Sequence, residues 1–359
     1  MISDLNSNIR CSAPSRICLF GEHSDYLGLP IIAAAINKRL FLEGNLQNSK
    51  DIIIHQKDLK TIMKLSLDEP IIYKNQRDYI RSCIVVFQRE VQPLKQGFKV
   101  TINSDIPIGK GLSSSSVLCV GWLKFLHLVC QQTIDPLQIA SLAHISEVVE
   151  FKEPGGIMDH YTSALESFIF LDCLQPPIIE KLNISSSLKS GFIIGDSLQI
   201  KDTLSNLTRL KNTFRQGFIY LDKVIDRFNP RTTSHELVMK KLAQSTLSKS
   251  VITKTQSIIA NRDLTLHAKE LLQHPNPDPE EIGTLLTKHH GLLRDDLKCS
   301  TPHIEKMIQV AQDAGAYGAK IVGSGSGGCV IVLAPNESER IIHSIRDIGF
   351  SAFVVELLG

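Results

Sequence analysis

The stretch Pro107-Ile108-Gly109-Lys110-Gly111-Leu112-Ser113-Ser114-Ser115-Ser116 runs straight into Val117-Leu118-Cys119-Val120-Gly121-Trp122-Leu123. Two glycines let the backbone approach a ligand closely, and a run of hydroxyls then precedes a long apolar segment of helical character. The serines suit the N-cap of that helix. A helix N-terminus presents free N–H groups and the positive end of the dipole, which together favour phosphate. The spacing is neither the Gly-x-x-x-x-Gly-Lys-Ser/Thr of a P-loop nor the Gly-x-Gly-x-x-Gly of a dinucleotide fold. Taken alone, the stretch serves equally as a flexible Ser/Gly connection, so the rest of the chain has to decide.

Its 359 residues are enough for two domains of ordinary size. Hydrophobic residues at 43% and charged residues at 21% provide a full core and a soluble surface. The net charge is only +2, with Lys and Arg scattered, so no field exists to recruit nucleic acid or an anionic membrane. No apolar run is long enough to span a bilayer, and Met1 to Asn8 lack the basic and apolar regions of a signal peptide. The eight cysteines, at 11, 18, 83, 119, 130, 173, 299 and 329, form no Cys-x-x-Cys pair and mostly sit among apolar neighbours. They read as small buried hydrophobes in a reducing compartment. The expectation is a cytoplasmic protein.

Upstream of the Gly/Ser stretch, β-like runs cover 16–20, 31–36, 40–44, 51–55 and 97–103, and helical periodicity covers 78–90. Downstream, helices are expected at 114–131 and 136–150, then strands at 168–172 and 191–196. Residues 202–315 are mostly helical, broken at Asn229-Pro230 and at His274-Pro275-Asn276-Pro277-Asp278-Pro279. Strands return at 319–323, 328–333 and 352–356. Runs of strands with segregated helices imply an α+β fold in two halves, 1–190 and 191–359.

Three further segments bear on chemistry. The turn Gly21-Glu22-His23-Ser24-Asp25-Tyr26-Leu27-Gly28 lies between two apolar strands, with Arg16 one strand-length upstream. Its carboxylates and imidazole can bind the hydroxyls of a sugar, or simply hold a polar turn in which His23 and Asp25 act as caps. Glu147 precedes Glu153-Pro154-Gly155-Gly156-Ile157-Met158-Asp159-His160, where Asp159 opens a helix. A carboxylate there either caps the helix or orients and deprotonates an attacking hydroxyl. Lastly, Gly323-Ser324-Gly325-Ser326-Gly327-Gly328 is too poor in side chains to pack a core, and suits a loop passing close to a phosphate or another loop.

Taken together and in this order, these segments resemble the signature motifs of the GHMP kinases, over nearly the whole chain. Within that superfamily the likeness is greatest to the galactokinase branch. It rests on Ala13-Pro14-Ser15-Arg16 with Gly21 to Tyr26, on Gly156-Ile157-Met158-Asp159, and on Leu293-Arg294-Asp295-Asp296-Leu297-Lys298-Cys299-Ser300-Thr301-Pro302. The resemblance implies an N-terminal α+β domain like domain 2 of ribosomal protein S5 (1–190) and a ferredoxin-like C-terminal α+β domain (191–359). The active site would lie between the two.

It also implies roles. Pro107, Gly109, Lys110, Gly111, Leu112 and Ser113 to Ser116 would wrap the phosphates of ATP. Ser115 and Glu147 would hold Mg²⁺, while Glu22, His23, Asp25 and Gly156 would bind a monosaccharide. Asp159 would be the catalytic carboxylate and Arg16 the cation beside the reacting hydroxyl. Gly323, Gly325, Gly327 and Gly328 would support the phosphate loop.

The sequence departs from the galactokinase pattern in places. Leu27-Gly28-Leu29 stands where Asn-Gly usually follows Asp-Tyr, and His160 stands in a usual glutamine position. Leu204-Ser205-Asn206-Leu207 lacks the tyrosine often found near the sugar. Such changes leave the kinase chemistry intact and leave the sugar open: another hexose, a pentose, a uronic acid or a heptose phosphate. His160 and Lys152 are candidate specificity residues. Two rival functions are a kinase for a non-sugar alcohol and a catalytically silent sugar sensor.

Overall fold

Residues 17–20 and 31–36 are apolar without alternation, the pattern of strands covered on both faces, and all ten are fully buried. They lie in β1 (Ile9–Phe20) and β2 (Ile31–Leu46), which pair antiparallel along most of their length. The computed structural model describes residues 8–359 apart from 184, 200 and 202. Residues 1–7 of the segment scanned for a leader therefore lie outside the described residues.

The runs expected at 31–36 and 40–44 are one strand. Asn37-Lys38-Arg39 reads as a break, yet none of the three is a glycine or proline, and pairing with β1 resumes across them through a bulge between Pro14 and Arg16. Next come β3 (Asp51–Gln56), β4 (Thr61–Ser66), α1 (Tyr79–Glu90), β5 (Phe98–Ser104), α2 (Ser114–Val129), α3 (Pro136–His144), α4 (Met158–Leu165), β6 (Phe168–Asp172) and β7 (Ile178–Lys181). The first sheet has the order β4-β3-β5-β2-β6-β7, with β1 added on β2; among the described residues only β3 and β5 pair in parallel. β4 and β7 were not foreseen. Their exposed, mixed sequences carry little alternation because each lies at an edge.

α2 is apolar almost all round, as a helix covered on every side must be. Trp122 and Phe125 stack with ring centroids 5.9 Å apart, and Phe98 of β5 meets both. Burying each such aromatic stabilises the fold by about 1.5–3 kcal/mol, so this cluster anchors the helix whose N-terminus faces the site. The helix expected over 136–150 ends at His144 and continues as a π-helical turn, Ile145–Val149. Such turns are rare and frequently occur at functional sites; this one carries Glu147.

The second half contains α5 (Ser186–Lys189), β8 (Phe192–Asp196), α6 (Thr203–Val224), α7 (His235–Ala243), α8 (Lys249–Leu272), α9 (Pro279–Gly291), α10 (Pro302–Asp313), β9 (Gly318–Ile321), β10 (Cys329–Leu333), α11 (Ser338–Asp347) and β11 (Ser351–Val355). Its sheet is antiparallel, ordered β11-β8-β10-β9. The halves share their packing. One apolar cluster runs from the first sheet into Ile282, Val355 and Leu357, and the other includes Leu29. Among the described residues no helix is long and apolar enough to cross a membrane.

Candidate active site

A cavity of about 430 Å³ opens where the two halves meet. Its lining includes Arg16, Glu22, His23, Asp25, Gly109, Gly111, Ser113 to Ser116, Glu147, Gly156, Asp159, His160 and Gly323. Segments more than 300 residues apart in sequence thus converge on one hollow.

Asp159 is not a helix cap. Arg16, next to the bulge in β1, reaches α4, where its Nε donates to Asp159 Oδ1 at 2.6 Å and its Nη2 to Oδ2 at 2.7 Å. This is the bidentate fork that a guanidinium and a carboxylate form best. Arg16 Nη1 also donates to the Gly111 carbonyl, tying the pair to the phosphate-loop candidate. Ser113 Oγ donates to Asp159 Oδ2 at 2.8 Å. Burial alone would raise the Asp159 pKa, but the charge and hydrogen bonds of Arg16, followed by His160 and Ser113, hold it below the usual carboxylate range. The pair joins ionised groups beside open space, with side-chain exposures of 4% for Arg16 and 25% for Asp159.

No serine side chain caps α2. Ser113 occupies the N-cap position with a left-handed backbone (φ 57°) and spends its hydroxyl on Asp159, leaving the first N–H groups of α2 uncapped toward the cavity. Glu147 faces the same helix end. Burial pushes its carboxyl up, yet a hydrogen bond from His160 (Nε2 to Oε2, 2.7 Å) and others from Ser115 and Ser116 bring it below the usual range. An ionised carboxylate with hydroxyl oxygens beside it is a hard-oxygen donor set. Mg²⁺ takes such a set when substrate phosphates and waters complete its shell, so these residues fit that ion.

The loop between β1 and β2 combines capping and cavity lining. Asp25 Oδ2 accepts the Met158 N–H, so this carboxylate caps α4 from across the site. Burial first, then the nearby Asp159 charge, pushes Asp25 up to about 6. Gly156 is required by that contact, since a Cβ would run into the Asp25 carboxylate and lie 2.7 Å from the Tyr26 nitrogen. His23 has φ 66°, a strained conformation for a residue with a side chain, and both ring nitrogens have neighbours: Tyr26 Oη at 2.9 Å and Cys299 Sγ at 3.6 Å. Burial lowers its pKa to about 4, so the ring is neutral. Glu22 Oε1 accepts from the Gly323 N–H at 2.7 Å and from Lys320 Nζ at 3.1 Å.

Several sequence candidates stand outside the lining. Lys110 turns toward Asp196 Oδ1 (3.5 Å), and its carbonyl accepts the Cys329 N–H. Leu112 is buried and its carbonyl accepts from Ser15 Oγ; Pro107 is half-buried. Gly325 packs against Cys299, whereas Gly323 and Ser324 reach the cavity. Lys152 is exposed and His160 is buried and lines the cavity.

Sequence reasoning missed Lys320, Asn261 and Lys201. Lys320 is a charged residue inside the apolar strand β9, a legible anomaly; Asn261 of α8, which donates to the Glu22 carbonyl, gave no signal. Lys201, another lining residue, follows a strand in an unremarkable polar stretch.

The sequence matches the description "GHMP kinases N terminal domain" over residues 78–167 and "GHMP kinases C terminal" over 268–349. The chain belongs to the GHMP kinases, a family of phosphotransferases, and has their two-domain mixed α and β fold. A third match, "Galactokinase galactose-binding signature", covers residues 5–44. The mevalonate kinase of Pyrococcus furiosus is 29% identical, over 96% of this chain and 95% of that protein. The galactokinase of Actinobacillus succinogenes is 28% identical, over 93% of this chain and 87% of that protein. Among solved structures, Lactococcus lactis galactokinase complexed with galactose superposes with a TM-score of 0.86 at 20% identity, covering 100% of this chain and 95% of that one.

Proposed function

We propose that this protein is an ATP-dependent sugar kinase that phosphorylates the anomeric hydroxyl of a monosaccharide, giving a sugar 1-phosphate and ADP. The observation that carries the reading is the bidentate Arg16–Asp159 pair, which lines one cavity with the uncapped start of α2 and the Glu22–Asp25 loop. The galactose-binding signature over residues 5–44 supports a sugar over other alcohols. Phosphoryl transfer asks for positioning and charge neutralisation more than covalent help. The α2 N-terminus, Gly109, Gly111 and Ser113 to Ser116 bind the phosphates. Asp159, kept ionised by Arg16, orients the anomeric hydroxyl and accepts its proton. Glu22, His23 and Asp25 recognise the sugar hydroxyls from the far side of the loop.

Ser115 and Glu147 hold Mg²⁺, which supplies neutralisation of the phosphate charge when bound. The division at residue 190 gives an N-terminal domain with the phosphate loop and a C-terminal domain with the supporting glycine turn. The protein works in the cytoplasm on small molecules.

A mevalonate-type alcohol is the second reading, favoured by 29% identity to a mevalonate kinase along the whole chain. The two part in one assay: ADP release with Mg²⁺-ATP against galactose, fucose, arabinose, galacturonate, glucuronate and mannose, with mevalonate and homoserine alongside. A sugar that stimulates turnover, with ³¹P NMR showing an anomeric phosphate, supports the first. Turnover with mevalonate alone would replace it by the second.

A further inference from the structure

Three consecutive residues in the first turn of α4 serve three different partners. The Met158 N–H goes to Asp25, the Asp159 carboxylate takes Arg16 and Ser113, and the His160 ring reaches Glu147. The first two belong with the acceptor side of the cavity. The third ties α4 to the π-helical turn Ile145–Val149, whose carboxylate fits a metal ion.

His160 and Glu147 meet at 2.7 Å between Nε2 and Oε2, with side-chain exposures of 2% and 8%. A carboxylate held below its usual range only accepts, so the donor in this bond is the imidazole Nε2–H. The other ring nitrogen, Nδ1, is buried and has no hydrogen-bond partner among the described residues. Buried polar atoms are nearly always satisfied, and leaving one bare costs stability. The ring thus has a single polar task, and one of its nitrogens goes unpaired to perform it. His144 packs edge-on against the ring, with centroids 5.5 Å apart and planes at 79°, which helps to fix the direction of the N–H. Ser115 and Ser116 also bond to Glu147, but a hydroxyl turns freely where a wedged imidazole does not.

We propose that His160 is a positioning residue whose Nε2–H sets the orientation of the Glu147 carboxylate for the metal of Mg²⁺-ATP. The idea rests on the Ser115–Glu147 metal reading above and adds a residue that acts through Glu147. Carboxylates that hold a metal are themselves hydrogen-bonded, and losing that partner typically costs 10- to 100-fold in metal affinity. This task differs from the sugar selection for which the sequence made His160 a candidate. It also means that one short helix sets both the carboxylate that meets the hydroxyl and the carboxylate that meets the metal.

The test is calorimetric binding of a non-hydrolysable ATP analogue, once with Mg²⁺ and once with EDTA, to wild type, His160→Gln and His160→Asn. The ratio of the two affinities is the Mg²⁺ enhancement. The Gln side-chain amide can place a donor where Nε2 stands, whereas that of Asn is too short and reaches only as far as Nδ1. His160→Gln should keep the enhancement within about threefold of wild type, and His160→Asn should lose about 10- to 100-fold of it. The affinity in EDTA should stay within about twofold in both, a readout that loss of packing would not spare. In a Glu147→Gln background, His160→Asn should cost no further enhancement. Full enhancement in His160→Asn would overturn the proposal, as would equal losses in Gln and Asn, or a loss in EDTA as large as that with Mg²⁺. Wild type binding the analogue with no Mg²⁺ enhancement would instead remove the metal reading of Ser115 and Glu147, and the role of His160 with it.

Discussion

Two acid–base pairs cross this site, and they differ in what surrounds them. Arg16–Asp159 joins β1 to α4 with a quarter of the Asp159 side chain exposed to the cavity, while Glu22–Lys320 joins the β1–β2 loop to β9 with exposures of 2% and 0%. The first is bidentate and keeps carboxylate lone pairs near a space where a hydroxyl can sit. The second is sealed, and Lys320 completes its shell on the Cys18 carbonyl while Glu22 takes the Gly323 N–H. A pair beside open space can exchange a proton with an arriving group. A pair as enclosed as the second mainly holds two segments together, and here it fixes the β1–β2 loop, with Glu22 at the cavity wall, against the glycine turn.

Breaking each pair should therefore fail in a different way. Asp159→Asn is expected to lower kcat about 10²- to 10⁴-fold, the usual worth of a positioned base, with nucleotide affinity retained by calorimetry. Near-normal turnover in that variant would remove the catalytic contrast between the pairs. Lys320→Met should act on stability instead: it leaves Glu22 buried without its cation and should cost about 3–5 kcal/mol in urea unfolding. Pairing it with Glu22→Gln should recover part of that loss, and a double variant no better than the single one would deny that the sealed pair is a unit.

Ser115→Ala sharpens the comparison on the nucleotide side. It should raise the KM for Mg²⁺-ATP about tenfold, the cost of one lost polar contact, with affinity for the acceptor alcohol unchanged. A further effect, on stability against pH, concerns Asp25. Its folded pKa of about 6 exceeds the unfolded value, so between pH 4 and 6 the native state binds more protons than the unfolded chain. Stability should fall as pH rises through that window, by on the order of 2 kcal/mol at most. Asp25→Asn should flatten that slope, as chemical denaturation at pH 4, 5 and 6 would show.

Much of the molecule was legible from its residues. Apolar runs marked β6, β8, β10 and the second half of β1 because strands covered on both faces cannot hide their composition, and the alternation of Phe98, Val100 and Ile102 with polar residues marked β5. β4, β7 and α11 were not marked. The two strands lie at an edge with little apolar content, and the charged first turns of α11 obscured the Ile341 and Ile345 stripe. The join of 31–36 with 40–44 into β2 depended on pairing with β1 and β5, which no local window contains. In the site, Ser113 looked like a cap and Asp159 like a cap or a base. Their mutual hydrogen bond, and the Asp25 cap on α4, settled what each carboxylate touches.

Composition, spacing and glycine placement by themselves pointed to an α+β chain in two halves with a phosphate-suited turn and a polar loop between apolar strands, while the roles of Asp159 and Arg16 came only with the resemblance to the GHMP kinases. They act locally, through backbone freedom, helix dipoles and hydrophobic period, so a linear string carries them. Only the tertiary structure decided which groups are sealed and which face the cavity. It set Lys320 against Glu22, brought Lys201 into the seam made by Gly111, Gly323 and Gly328, and left the α2 N-terminus uncapped. Those outcomes depend on desolvation and on contacts between segments hundreds of residues apart, and neither is a property of any short stretch of chain.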